Sequence, residues 1–177
     1  MDNMVRGGNW FFDKYNAYRV LESVTLPEIK FAGEAFTPAG HMMSVDFQEE
    51  MEALMATIKL KSADPQIRGM VGKIAPNYTT CTYYENLESY REGGSQKGRY
   101  ITIKGLIRSS KQDEVKGLKP AGTEYEINTI ILYHDVVDGR TIHKFDLFGG
   151  AGETIINGER PYAQMAANLA ISGGIIL

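Results

Sequence analysis

I-I-L-Y-H-D-V-V-D-G-R-T-I-H-K-F-D-L, residues 130–147, decides the fold. Asp138-Gly139 lies between two apolar runs. This dipeptide suits a two-residue type I′ turn, whose central residues both need φ > 0. Folding the chain there opposes Val137 to Arg140. The register that follows sets His134 against His143, Leu132 against Phe145 and Ile130 against Leu147 on one face. Tyr133 with Lys144 and Ile131 with Asp146 occupy the other. A one-residue slip would turn every side chain to the opposite face, so this sorting fixes the expected register.

The same period of two recurs outward from that hairpin. Leu54, Ala56, Ile58 and Leu60 alternate with Met55, Thr57, Lys59 and Lys61, a half-buried strand with one wet face. Ile101, Ile103 and Ile107 alternate with Thr102, Lys104 and Arg108. Residues 78–88 are rich in Thr and Tyr, which favour strands, and the Gly-rich stretch 92–98 joins them to the next strand as a hairpin. Tyr18, Val20, Val24 and Leu26 mark an earlier strand that Pro27 closes. Helix signals are few. Asp64-Pro65 reads as N-cap and first residue of a helix over about 65–74, with Ile67, Val71 and Ile74 on its apolar side and Pro76 ending it. A second short helix is expected from Glu159-Arg160-Pro161 to about Ala170, with Tyr162, Met165 and Leu169 as its stripe. The fold class is therefore mainly β: two packed antiparallel sheets, a sandwich or partial barrel, with one flanking helix and a short C-terminal helix.

Length and composition bound the function. The chain has 177 residues, which at roughly 100–200 residues per domain predicts a single domain over 1–177. Lys+Arg 19 against Asp+Glu 22 gives a formal charge of −3, without the basic excess of a general nucleic-acid binder. One Cys excludes an internal disulfide framework and a multi-thiolate zinc site. No apolar run approaches a membrane span and the N-terminus has no signal-peptide core, so a reducing cytoplasm is the expected place of synthesis.

Candidate chemistry is sparse. His134 and His143, as cross-strand neighbours, are close enough to share a ligand, but no third ligand joins them, and a packed or solvated pair is the plainer reading. His41 has no carboxylate near it in sequence. G-G-A-G (149–152) lacks the third Gly of a dinucleotide fingerprint and the Gly-Lys-Ser/Thr of a P-loop, and reads as a turn. There is no nucleophile elbow, and Cys81 sits in a Thr/Tyr strand like a core thiol. Asp46, Glu49, Glu50 and Glu52 cluster without a basic residue among them, either as a solvated face or as a functional electrostatic surface. No catalytic residue, cofactor or metal site is expected; the sequence does not read as an enzyme.

The order of motifs resembles the major tail tube proteins of contractile-tailed bacteriophages and of the related R-type pyocins. V-T-L-P-E-I (24–29) is similar to that family's early strand. P-A-G-H-M-M-S-V-D-F (38–47) is similar to its Gly-containing loop and the strand after it, and M-E-A-L-M-A-T-I-K-L (51–60) continues in step. I-K-G-L-I-R (103–108), L-K-P-A-G (118–122), V-D-G-R-T-I-H-K-F-D (137–146) and I-N-G (156–158) before a terminal helix follow in family order. The likeness spans roughly residues 9–171. It implies a structural subunit that forms hexameric rings, stacked into a hollow tube inside a contracting sheath, through which DNA passes unbound. The implied partners are further copies of the chain, the sheath protein, baseplate or tail-terminator proteins and the tape measure protein. The implied location is the virion tail, assembled in the host bacterial cytoplasm. A pyocin-like or type VI secretion-like tube protein and, from another class, a β-barrel ligand-binding domain are the alternatives.

Within that frame, residues 1–15 are expected to form an N-terminal arm, 31–43 an extended inter-ring loop and 172–177 a C-terminal extension. The loop holds the apolar residues Phe31, Phe36, Pro38, Met42 and Met43, an interaction site if exposed. Trp10, Phe11 and Phe12 near the start, and Ile175, Ile176 and Leu177 at the end, are expected to assist ring-to-ring contact. Asp46, Glu49, Glu50 and Glu52 are the candidates to face the lumen.

Overall fold

The structure is a computed structural model that describes residues 3–91 and 93–171. Among the described residues, eleven strands and two short α-helices follow one another. The strands are β1 (Asn3–Phe12), β2 (Tyr15–Asn16), β3 (Leu21–Thr25), β4 (Phe31–Phe36), β5 (Val45–Met51) and β6 (Ala56–Leu60). After α1 (Pro65–Arg68) come β7 (Thr79–Ser89), β8 (Gln96–Gln112), β9 (Thr123–Val137), β10 (Arg140–Asp146) and β11 (Ile155–Ile156), then α2 (Ala163–Asn168). All pairings are antiparallel. Nine strands form one sheet and β4 pairs only with β5 in a second. The expected mainly-β class holds, and neither sheet closes.

The large sheet forks at β9. One edge of β9 pairs with β8 along its length. The other edge pairs first with β6, from Thr123 to Ile127, and then with β10, from Leu132 to Val137. Between those stretches Thr129 takes φ 51 and the β8–β9 register shifts between Lys104 and Leu106. Gly105 lies opposite this irregularity. A Cβ there would stand 3.0 Å from the Asn128 carbonyl oxygen and 3.1 Å from Ile127 Cγ2, so a side chain at 105 would push the strands apart.

The sheet curls over on itself. In the order β9-β8-β7-β1, the outer two strands are three spacings apart, roughly 14 Å in a flat sheet. Yet the rings of Phe12 on β1 and Tyr125 on β9 lie 5.9 Å apart, edge to face. The core fills that curl: Trp10, Phe12, Ile58, Leu60, Ile101, Ile103, Ile107 and Tyr125 are fully buried. The alternation read for residues 54–60 and 101–104 is the inward face of β6 and β8, each large aliphatic contributing about 1.5–3 kcal/mol.

Several expectations are corrected. Of the expected arm over 1–15, residues 3–12 belong to the body of the fold: β1 pairs with β7 from Asn3 to Phe12, and Trp10 and Phe12 are at 0% exposure. Residues 31–43 are no loop: β4 begins at Phe31, and only 37–44 connect it to β5. The early strand begins at Leu21, leaving Tyr18 exposed. The first helix is a single turn. Asp64 caps it, accepting from the Gln66 backbone N–H at 2.8 Å, and Ile67 reaches the core. Tighter turns carry the chain on to Val71, Gly72 (φ 83) directs it away, and Ile74 is 79% exposed. In α2 the buried residue is Ala166, which packs close over Gly152; Met165 is part-exposed at the edge of a cavity, and Leu169, just past the helix, is exposed.

The hairpin of residues 130–147 keeps its turn and loses its register. Asp138 (φ 50) and Gly139 (φ 77) make the turn, and Val137 opposes Arg140. A bulge at Ile142 then shifts the pairing by one residue, so that His143 opposes Asp135, Lys144 opposes His134 and Phe145 opposes Tyr133. The inward face is Ile131, Tyr133 and Asp135, not Ile130, Leu132 and His134. A sequence pattern does not reveal a bulge that inserts one residue on one strand.

Candidate assembly surfaces

The β4–β5 hairpin stands apart from the core. Gly33 opposes Gln48, Glu34 opposes Phe47, Ala35 opposes Asp46 and Phe36 opposes Val45. Directly opposed residues share a face, so Phe36, Val45 and Phe47 form one apolar stripe, with the Phe36 and Phe47 rings 6.2 Å apart. Phe36 and Phe47 are 55% and 57% exposed, and at the tip Met42 and Met43 are essentially bare. The tip turns through Gly40 (φ 85), where the His41 N–H donates to the Pro38 carbonyl at 3.1 Å, and Pro38 is half-buried in that turn. Phe31, at the root, lines a cavity beneath the hairpin.

The four acids do not converge. Asp46 packs over Gly33, where a Cβ would meet its Oδ1 at 2.5 Å. Strand alternation puts Asp46 on the face away from the apolar stripe; between Gln48 and Met51 the pairing shifts by one residue, so that Glu49 and Glu50 together stand against Ala32. Glu52 lies beyond β5 and pairs with Lys30 at 3.2 Å. Lys59 and Lys61, the cations of the neighbouring strand, pair with Asp113 and Glu22 at 3.4 Å each.

The face of the large sheet turned away from the core is hydroxyl-rich. One row crosses it from Phe11 through Thr82, Thr102 and His134 to Lys144. Beside it, Tyr84 and Tyr100 oppose each other with centroids 6.2 Å apart, and Phe11 meets Tyr84 edge-on at 5.5 Å. Burial, and then the Lys144 ammonium, hold the His134 pKa below the ordinary imidazole value; its Nε2 lies 3.0 Å from Thr141 Oγ1. The bulge separates the two histidines, His134 on this face and His143 on the other, so the shared-ligand reading falls. Among the described residues no group of three or more His, Cys, Asp or Glu is placed to hold a metal ion.

Sequence reading missed two features. Val45 and Phe47 complete the apolar stripe of the hairpin; their alternation with Asp46 and Gln48 was the available signal. The other is an ionic cluster. Arg99 donates to both Asp135 oxygens, Nε to Oδ1 at 2.9 Å and Nη2 to Oδ2 at 2.7 Å, and to Glu85 at 2.9 Å. Asp135 and Glu85 are buried, and their hydrogen bonds, that of Asp135 foremost, push the Arg99 pKa further up. Burial, with Asp135 nearby, pushes the Tyr133 hydroxyl up to about 12. Glu85 sits directly opposite Arg99 in the β7–β8 pairing.

A family model described as phage tail tube protein FII matches residues 2–169 of this chain. The chain belongs to that family. No curated protein matches it. Its role is structural, as a tail tube component, and the family relation implies self-assembly into a tube. No helix among the described residues is long and apolar enough to cross a membrane.

Proposed function

We propose that the chain assembles into hexameric rings that stack into a hollow tube, sheathed by a contractile tail, and that this tube conducts DNA during ejection. The observation that carries this reading is the β4–β5 hairpin. A lone two-stranded hairpin is marginal in water, and this one exposes Phe36, Phe47, Met42 and Met43 where it extends from the core. Such a surface gains by being covered, and methionines adapt to an imperfectly matched partner. The hairpin is the inter-ring contact: its stripe and tip seat on the next ring, with Phe31 and Pro38 fixing its root and turn. Trp10 and Phe12 are withdrawn from this role because the protomer's own core uses them, and Phe11 packs on Tyr84. Ile175, Ile176 and Leu177 lie outside the described residues.

The lumen of such a tube must not retain a polyanion, since Lys and Arg lining it would gain affinity by counterion release. Asp46, Glu49 and Glu50, all exposed on β5, are the acids proposed to line the channel; Glu52 pairs with Lys30. The sheath, baseplate or terminator and tape measure proteins are the proposed partners, and host cytoplasm the site of assembly. The test is Phe36→Asp combined with Met42→Asp. Circular dichroism is expected to show a folded subunit and negative-stain microscopy single rings or subunits that do not lengthen. Unfolding, or normal tubes, overturns the stacking role.

A further inference from the structure

Two exposed surfaces leave the body at opposite ends of one strand ladder. β6 pairs with β9 from Ala56, opposite Ile127, to Leu60, opposite Thr123. The β4–β5 hairpin enters the body ahead of Ala56, where its root residues Phe31 and Met51 share a cavity with Ile131. The loop of residues 113–122 joins β8 to β9 at the other end, beside Leu60: a Cβ on Gly122 would stand 2.8 Å from the Leu60 carbonyl oxygen. From Thr123 to Ile131 the strand spans roughly 25 Å.

This loop is closed at its base and bare at its tip. The Asp113 N–H donates to the Gly122 carbonyl at 2.8 Å, and the Asp113 carboxylate meets Lys59 at 3.4 Å. Compact loops with their ends tied together often carry function. The tip is a turn: the Lys119 N–H donates to the Lys116 carbonyl at 3.2 Å, and Gly117 takes φ 57. It presents Leu118, fully exposed, with Val115 exposed three residues before it. Lys116 pairs with Glu114 at 3.3 Å, which leaves Lys119 as the tip cation without an ion pair among the described residues. The hairpin offers the complement. Directly opposed residues share a face, so Glu34, opposite Phe47, stands in the same stripe as Phe36 and Val45. Glu34 is exposed and has no ion-pair partner among the described residues. The stripe is thus apolar with one free anion, and the loop tip is apolar with one free cation.

We propose that the tip of the 113–122 loop docks on the hairpin stripe of a second copy, Leu118 against the Phe36 and Phe47 rings and Lys119 on Glu34. This rests on the reading of the hairpin as a contact between copies and names the surface that receives it. The full exposure of Leu118 leaves it untouched by its own hairpin. Because the two surfaces lie at opposite ends of the β6–β9 ladder, the contact is head-to-tail. Each docked copy keeps one free loop and one free hairpin, so the contact propagates as a stack and does not close as a dimer. The tied base leaves the loop little freedom to lose on docking, and the ion pair sets register more than affinity.

Cross-linking between copies tests it on the full chain. Val45→Cys and Val115→Cys are prepared separately, one with a heavy-isotope label, mixed as dilute subunits, concentrated and mildly oxidised. Both positions are exposed, and both variants keep the two phenylalanines, Leu118 and the charge pair. The native Cys81 is fully buried and does not compete. Intact mass is expected to show the mixed disulfide dimer at least tenfold over either homodimer. Lys119→Glu in the Val115→Cys chain, or Glu34→Lys in the Val45→Cys chain, should cut the mixed product several-fold, and the two reversals together should restore it. Mixed and homodimeric products at the ratio of random collision overturn the docking. A predominant Val45 homodimer assigns the stripe to another hairpin, and faster cross-linking of Val45→Cys to Ala53→Cys assigns it to the cavity at the hairpin root; either result overturns the loop as partner. Those failures leave the stacking role of the hairpin standing, which falls only if the Phe36→Asp, Met42→Asp chain still lengthens into tubes or unfolds.

Discussion

Two buried carboxylates, Asp135 and Glu85, close on the single guanidinium of Arg99. A buried ion cluster adds little net stability over an apolar substitute, but removing one partner strands the others. Arg99→Met is therefore expected to lower unfolding free energy by about 3–5 kcal/mol in urea titrations, because two carboxylates lose their cation. A loss under about 1 kcal/mol would mean that the two carboxylates find water or another partner. Ala170 presents the opposite case. Its left-handed backbone penalises any Cβ, so Ala170→Gly should raise stability by about 0.5–1 kcal/mol, read as a higher thermal midpoint. His134 gives a pH signature. Its folded pKa lies below the unfolded value near 6.5, so the unfolded chain binds more protons between the two. Stability from this site is complete above about pH 6.5 and falls on acidification toward the folded pKa. His134→Gln should flatten that part of the stability–pH curve; an unchanged curve would place the acid sensitivity elsewhere.

Strands were legible wherever one face is buried without interruption. Leu54 to Leu60 and Ile101 to Lys104 alternate because β6 and β8 turn one face to the core, and there the pattern transfers directly to burial; past the register shift, Gly105, Leu106 and Ile107 are all buried. Reading failed where the chain departs from strict alternation. The bulge at Ile142 moved the register of the 130–147 hairpin by one residue, although the Asp138-Gly139 turn was placed correctly. β4 reads as part of a loop because it buries neither face beyond its root; Phe36, Gly33 and Glu34 carry no inward period. The same absence of a buried face leaves the hairpin's apolar stripe open, which is the ground for the proposed contact with other copies. Its apolar stripe was half legible, through Phe36, Met42 and Met43, while Val45 and Phe47 were absorbed into a strand of no assigned partner. Helix lengths were overestimated for a related reason: Ile74 and Leu169 fit a helical stripe but have no wall to pack against.

The subunit is incomplete along its strand edges as well as on its hairpin. Among the described residues β1 pairs on one side only from Asn3 to Asn9, β3 pairs only with β6, and β4 and β5 pair only with each other. Open edges of this kind invite main-chain pairing with another copy, and a closed ring removes them. The tail tube family implies that such surfaces meet other copies of the chain, and the formal charge of −3 leaves the subunit without the basic excess that general nucleic-acid affinity needs. Electron microscopy of the purified chain, concentrated without any other phage protein, decides whether these surfaces close on one another. Hollow filaments built of six-fold rings are predicted. A particle that stays monomeric or dimeric up to its solubility limit, with no ring or filament in any field, would rule out self-assembly as the chain's intrinsic property.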